Sequence, residues 1–174
     1  MKSKENIVFL GMMGSGKSSL GSLISKELNF HFYDTDKIIE KKLNQKITEI
    51  FQYKGEKFFR EYEEKITLQI LKNKKCVIAL GGGTFLNKNV REEILKNHNS
   101  FWLKWDPETI LKRIKNNSKR PVAINLTSFE LMKLIKKRST IYSKALYSIN
   151  CDGLSKKQIV NKVKKIYETN KINC

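Results

Sequence analysis

The nine residues GMMGSGKSS at positions 11–19 constrain this chain more than any other stretch. They fit G-x-x-x-x-G-K-[ST], with Gly11, Gly16, Lys17 and Ser18 at the defining positions. They stand between the apolar run NIVFLG (6–11) and a segment near 17–28 with helical spacing. In that context the glycines let backbone N–H groups curl around phosphate oxygens, and the following helix adds its positive N-terminal dipole. Gly14, Ser15, Gly16, Lys17, Ser18 and Ser19 are thus candidate contacts for the phosphates of a nucleotide. Lys17 suits the β/γ-phosphates, and the Ser18 hydroxyl suits the accompanying Mg²⁺.

The rest of the pattern supplies a scaffold for such a loop. The runs FHFYD (30–34), CVIAL (76–80), SFWLKW (100–105) and YSINC (147–151) read as further strands. Amphipathic stretches near 36–53, 55–73, 88–97, 107–116, 129–146 and 155–169 read as helices. Continuous apolar strands alternating with helices predict an α/β fold, a three-layer sandwich around a five-stranded parallel sheet. The length of 174 residues fits one domain, 1–174. The stretch NNSKRPVAINLTS (116–128) lacks periodicity and lies between two helices, so it reads either as a surface loop or as a lid.

Composition narrows the partners. The net charge of +18 invites a nucleic-acid reading, yet only five of the 35 basic residues are arginine and the lysines are scattered over nearly every predicted helix. That is a solvated surface rather than one basic groove, and no nucleic-acid partner is expected. No run approaches the roughly 18 apolar residues that a membrane span needs, and the N-terminus reads as a first strand rather than a signal peptide. Cys76, Cys151 and Cys174 are odd in number and lack metal-ligand spacing, which fits free thiols in a reducing compartment. A cytoplasmic location is the expectation.

Three further motifs carry chemistry. In FYDTDKIIE, Asp34 and Asp36 fall where the second strand ends, the edge at which ligands bind in such sheets. One can serve Mg²⁺ through water and the other an acceptor hydroxyl, while capping of the next helix is the alternative for either. In KFFREYEEKI, Arg60 stands three residues before Glu63, which by itself describes a surface ion pair. Its aromatic neighbours Phe51, Phe58 and Phe59 describe a small-molecule pocket instead. In ALGGGTF, residues 81–83 place three glycines at a strand end, either as a loose turn or as backbone that something approaches closely. Arg113 and Arg138 stand on either side of the 116–128 loop and Arg120 lies within it, as phosphoryl transfer requires of groups that neutralise charge.

Taken together, the phosphate loop, Asp-Thr-Asp, Phe-Arg-x-x-Glu, Gly-Gly-Gly, Arg-Pro and Arg-x-x-x-Tyr resemble shikimate kinase in order and spacing, from about residue 6 to 170. The resemblance implies a P-loop, nucleoside-monophosphate-kinase-like fold with a lid, and transfer of the ATP γ-phosphate to the 3-hydroxyl of shikimate. It implies Asp36 as the residue holding the shikimate hydroxyls and accepting the 3-OH proton, and Asp34 with Ser18 as the Mg²⁺ side. It implies Arg60 and Arg138 as the clamp on the substrate carboxylate, with Phe51 and Phe59 as pocket walls and Gly81, Gly82 and Gly83 as its floor. Gly82 is the expected direct contact. Arg120 becomes the lid arginine on the ATP phosphates, a catalytic residue with Lys17 and Asp36, and Arg113 lies beside adenine. Arg91 receives no role. A monomer is expected.

The chain departs from the family at Val122 and Ala123, where two leucines usually follow Arg-Pro, and at Ser19, where Thr is common. At CDGLSKKQ, Ser155 or Lys156 stands where relatives place an arginine near adenine. The competing expectations are another small-metabolite kinase, such as a gluconate kinase, and a non-catalytic kinase-like binding protein. The intact Lys17, Ser18, Asp34 and Asp36 disfavour the second.

Overall fold

The computed structural model describes residues 4–115 and 126–172. Its elements are β1 (Ile7–Leu10), α1 (Lys17–Leu28), β2 (His31–Asp34), α2 (Thr35–Leu43), α3 (Ile47–Leu71) and β3 (Cys76–Ala79), then a 3₁₀ turn at Thr84–Leu86. They continue through α4 (Lys88–Asn97), β4 (Asn99–Lys104), α5 (Pro107–Lys115), α6 (Ser128–Tyr142), β5 (Tyr147–Asn150) and α7 (Lys156–Ile172). The five strands pair in parallel in the order β2-β3-β1-β4-β5, as the α/β pattern predicts.

All four residues of β1 are buried because both faces of the sheet are covered. Strand alternation sends Val8, Leu10 and Ile78 to one face, where they pack on Ile66 and Ile70 of α3, Ile94 of α4 and Ile135 of α6. Ile7, Phe9 and Val77 point the other way, onto Leu20 and Ile24 of α1 and Val160 and Val163 of α7. These are the three expected layers. Cys76 and Cys151 are buried free thiols, each pushed up to about 12 by burial, as suits inert core residues.

The sheet's register does the positioning. Because every strand is parallel, the loops after β1, β2 and β3 leave from the same edge. Asp34 and Phe9 both pair with Ala79, and Leu80 N–H donates to Phe9 O at 3.0 Å. The phosphate loop, the Asp-Thr-Asp and the triple glycine are thereby brought side by side.

One boundary differs from expectation. The sequence pattern predicts helices over 36–53 and 55–73, and the structure adds a further break at 44–46. Asn44 adopts the left-handed conformation (φ 49°) and closes α2, and the Glu49 side chain accepts from Lys46 N–H to open α3. At the expected boundary Gly55 does leave helical geometry, at φ 80°, ψ 165°, and kinks α3. Asn enters the left-handed region more readily than most residues, so it too can end a helix. At the other expected loop, Thr127 and Glu130 form a capping box and α6 begins at Ser128. Residues 116–125 of the expected lid, with Arg120, Val122 and Ala123, lie outside the described residues, as does Cys174.

Candidate active site

At the carboxyl edge of the sheet, Met13, Gly14, Gly16, Lys17, Ser18 and Ser19 line a cleft of about 650 Å³. Asp34, Asp36, Gly82, Arg113 and Lys156 complete its wall. The phosphate loop has the backbone that its glycines permit, with φ of 139° at Gly11, 81° at Gly14 and 90° at Gly16. Gly16 caps α1 without a side chain, so the first amides of the helix face the cleft. Lys17 Nζ donates to the carbonyls of Gly11 and Met12, both at 2.9 Å, which holds the charge within the loop. The Trp105 indole N–H donates to Ser15 O at 2.9 Å, and the Arg113 guanidinium stacks on the Trp105 ring at 3.6 Å. Arg113 is thus a stacked wall of the cleft. Lys156, at the start of α7, stands at the C-terminal position where the sequence offered either Ser155 or Lys156.

The two aspartates divide their work. Asp34 caps α2, its carboxylate accepting from Lys37 N–H at 3.2 Å, so the capping alternative holds for Asp34 even as it faces the cleft. Asp36 lies in the first turn of α2 and faces the glycines: a Cβ on Gly81 would stand 2.5 Å from its Oδ1. Between them Thr35, fully buried, receives Gly81 N–H at 2.9 Å on its hydroxyl, which donates to Ala79 O at 3.3 Å. Thr35 is a residue the sequence did not single out. It ties the Asp-Thr-Asp to the triple glycine.

Beyond this wall, Arg60, Glu63, Gly83, Thr84 and Arg138 line a cavity of about 260 Å³. Arg60 does form the ion pair that its spacing predicts, at 2.8 Å to Glu63. The pair is not a surface one, because the Glu63 side chain is 4% exposed and its other oxygen accepts from the Thr84 hydroxyl at 2.7 Å. Burial works against the Arg60 charge, but the Glu63 and Glu56 carboxylates outweigh it and hold its pKa above the ordinary value. The rings of Phe51 and Phe59 lie 5.7 and 5.2 Å from the guanidinium. Phe58 does not join them: it stacks on Tyr62, with Lys54 over its face. Successive residues on a helix point roughly 100° apart, so Phe58 and Phe59 face different surroundings.

The triple glycine has a more specific reason than a generic floor. A Cβ on Gly81 would meet Asp36, Glu63 and Thr84 within 2.9 Å, and one on Gly83 would meet the Arg60 guanidinium at 2.5 Å. The protein's own polar side chains crowd those two positions. Gly82 alone of the three has room, with Met13 N at 3.4 Å and Arg138 Nη1 at 3.6 Å from such an atom. Arg138 is 6% exposed, and its Nε has no hydrogen-bond partner among the described residues. Arg91, for which the sequence suggested no role, donates from Nη1 to Phe85 O and Leu86 O and so closes the 3₁₀ turn behind the glycines.

The hard oxygen donors on the cleft are the Ser18 and Ser19 hydroxyls and the Asp34 and Asp36 carboxylates. Among the described residues no three His, Cys, Asp or Glu side chains gather into a metal-binding group. That donor set fits Mg²⁺, which keeps most of its waters and takes phosphate oxygens.

Comparison with known proteins bears directly on this arrangement. Residues 13–168 match the profile of the shikimate kinase family. A shikimate kinase of Bartonella henselae is 38% identical over 158 residues, covering 90% of this chain and 75% of that protein. One of Thermodesulfovibrio yellowstonii is 36% identical over 165 residues, covering 94% and 95% of the two chains. The structure of shikimate kinase from Acinetobacter baumannii in complex with shikimate superposes with a TM-score of 0.90 at 28% identity, over 98% of this chain and 96% of that one.

Proposed function

The chain belongs to the shikimate kinase family, and from that premise we propose how its residues carry the family's reaction. That reaction transfers the γ-phosphate of ATP to the 3-hydroxyl of shikimate, giving shikimate 3-phosphate and ADP. The observation that carries the assignment of roles is the shared wall: Gly82 borders the phosphate-loop cleft, and Gly83 borders the cavity holding Arg60 and Arg138. A nucleotide on one side and a small carboxylic acid on the other meet across two residues that have no side chains.

ATP binds with its phosphates on the amides of residues 14–19 and the ammonium of Lys17. Arg113 and Lys156 border the nucleotide, and Arg120 reaches its phosphates. Ser18, and Asp34 through water, hold the Mg²⁺ that accompanies ATP. When bound, the ion supplies neutralising charge to the β- and γ-phosphates. Shikimate lies against Phe51, Phe59 and Gly81–Gly83, with its carboxylate on Arg60 and Arg138, a bidentate contact that guanidinium makes and ammonium does not. Asp36 orients the 3-hydroxyl and accepts its proton. Closure of the 116–128 segment excludes water, so that ATP is not spent on hydrolysis. We read the chain as one catalytic domain, monomeric and cytoplasmic. Among the described residues no helix is long and apolar enough to cross a membrane.

The test is ADP release with MgATP, with and without shikimate, on the wild type and on Asp36→Asn. Release that depends on shikimate and is lost in Asp36→Asn supports the reading. Release indifferent to shikimate would leave the phosphate loop its nucleotide and overturn the acceptor.

A further inference from the structure

The carbonyl of Gly82 is gripped from α6 by two donors one helical turn apart. The Tyr142 hydroxyl donates to it, and Arg138 Nη1 donates at 3.4 Å. The spacing RSTIY puts the two side chains at i and i+4 on one face of α6. Tyr142 is 1% exposed, its ring lies 6.2 Å from that of Trp102, and its hydroxyl stands 3.8 Å from Met12 Sδ in the phosphate loop. Nothing in the roles above uses this phenol. Burial pushes it up to about 12, against the pull of Arg138, so it remains an O–H donor wherever the enzyme operates.

The Gly82–Gly83 peptide separates the two cavities, so the direction of its carbonyl sets the plane of the wall that nucleotide and acceptor share. Two glycines in sequence impose little preference of their own. Gly82 is half-buried, and a carbonyl partly withdrawn from water favours a protein donor. Arg138 is the other available donor. Its present contact is long, and a charged guanidinium would draw in to about 2.9 Å were it the carbonyl's only partner.

We propose that Tyr142 is a positioning residue for phosphoryl transfer: its hydroxyl takes the Gly82 carbonyl, fixes the wall between cleft and cavity, and leaves Arg138 available to the carboxylate of the acceptor. The role rests on the shikimate kinase reading above. It acts through Gly82 and Arg138, and it touches neither substrate.

The experiment compares Tyr142→Phe with Tyr167→Phe. Tyr167 is equally buried and donates to Glu5 O at 2.9 Å at the opposite edge of the sheet, so each variant deletes one tyrosine–carbonyl hydrogen bond. Tyr142→Phe is expected to lower kcat/KM for shikimate at least tenfold, with a raised shikimate KM and a Kd for MgADP within twofold of wild type. Tyr167→Phe is expected to lower the melting temperature comparably and leave these constants alone. In the background of Arg138→Met, Tyr142→Phe is expected to add less than threefold, because the route through Arg138 is already gone. Wild-type constants in Tyr142→Phe, the same kinetic loss in Tyr167→Phe, or full additivity with Arg138→Met would overturn the role. If Tyr142→Phe unfolds at the assay temperature, the constants are read in sucrose, which favours the folded state. Wild-type turnover run alongside tests the acceptor itself, and its absence would overturn that reading and this role with it.

Discussion

Gly81→Ala is the sharpest test of the way the glycines serve the site. The backbone at Gly81 is not in the left-handed region, so alanine brings no conformational strain and its whole effect is the added methyl. That methyl would stand 2.5 Å from Asp36 Oδ1, 2.7 Å from Glu63 Oε1 and 2.9 Å from Thr84 Oγ1, where ordinary contact begins at 3.4 Å. Asp36 must therefore retreat by about 0.9 Å and Glu63 by about 0.7 Å. Misplacing a catalytic group by about 1 Å costs roughly 10²-fold in rate, so kcat should fall on the order of 100-fold. Overpacking costs about 1–3 kcal/mol, which should lower the melting temperature by several degrees. Gly153→Ala separates the two effects. Gly153 has φ 71° and nothing within 4 Å of the added atom, so alanine there costs about 1–2 kcal/mol of strain and should leave kcat unchanged. Steady-state kinetics and thermal unfolding on both variants decide the matter. A Gly81→Ala enzyme with kcat within threefold of wild type would refute the argument that Asp36 is held against this backbone for catalysis.

Three other outcomes are expected. Arg60→Lys should raise the KM for shikimate at least tenfold, since Lys cannot make the bidentate carboxylate contact; an unaltered KM would put the clamp elsewhere. Arg120→Ala should lower kcat by two orders of magnitude or more if its guanidinium meets the transferring phosphoryl group, with the Kd for MgADP changed far less; a preserved kcat would remove it from the catalytic set. Stability should also depend on pH through His98. Asn6 Oδ1 accepts from Cys76 N–H, so Asn6 Nδ2 faces His98 Nδ1 at 3.2 Å and the ring must accept there as the neutral form. Burial lowers its pKa below the ordinary 6.5, with Lys4 adding to the shift and Glu93 opposing it. The folded state thus binds the proton less readily than the unfolded chain. The contribution is complete above the ordinary value and is lost as pH falls toward the lowered one. The melting temperature should drop between pH 8 and pH 5, and His98→Gln should flatten that part of the profile. A wild type and variant with parallel profiles would show that another group controls the slope.

Much of the site is local in sequence and therefore readable. The phosphate loop is a strand, a glycine-rich turn and a helix start in one short stretch, and each part carries its own chemical mark. The scarcity of arginine made Arg60, Arg113 and Arg138 stand out, and all three line the two cavities. Glu63 was visible only as a charge at i+3, because spacing reports that two side chains can meet but not whether water reaches them. Thr35 and Tyr142 were harder to find. A buried threonine hydroxyl and a buried phenol resemble ordinary core residues until the chain segments they bind are known. The helix break at Asn44 was missed because Asn marks a left-handed position less strongly than glycine does, whereas Gly55 does interrupt the helix near the boundary that the pattern placed there.

By itself the sequence determined the parallel α/β order, the phosphate loop and the candidate charges, because strand burial, helical spacing and glycine geometry act over a few residues. The tertiary structure alone decided that residues 34–36, 60–63, 81–84 and 138–142 form one wall. That decision belongs to the register of three parallel strands, which brings together groups that lie far apart along the chain. It also answers why three glycines stand together. Gly81 and Gly83 are kept bare by Asp36, Glu63 and Arg60 pressing on them, and a repulsion of that kind exists only after the sheet has formed.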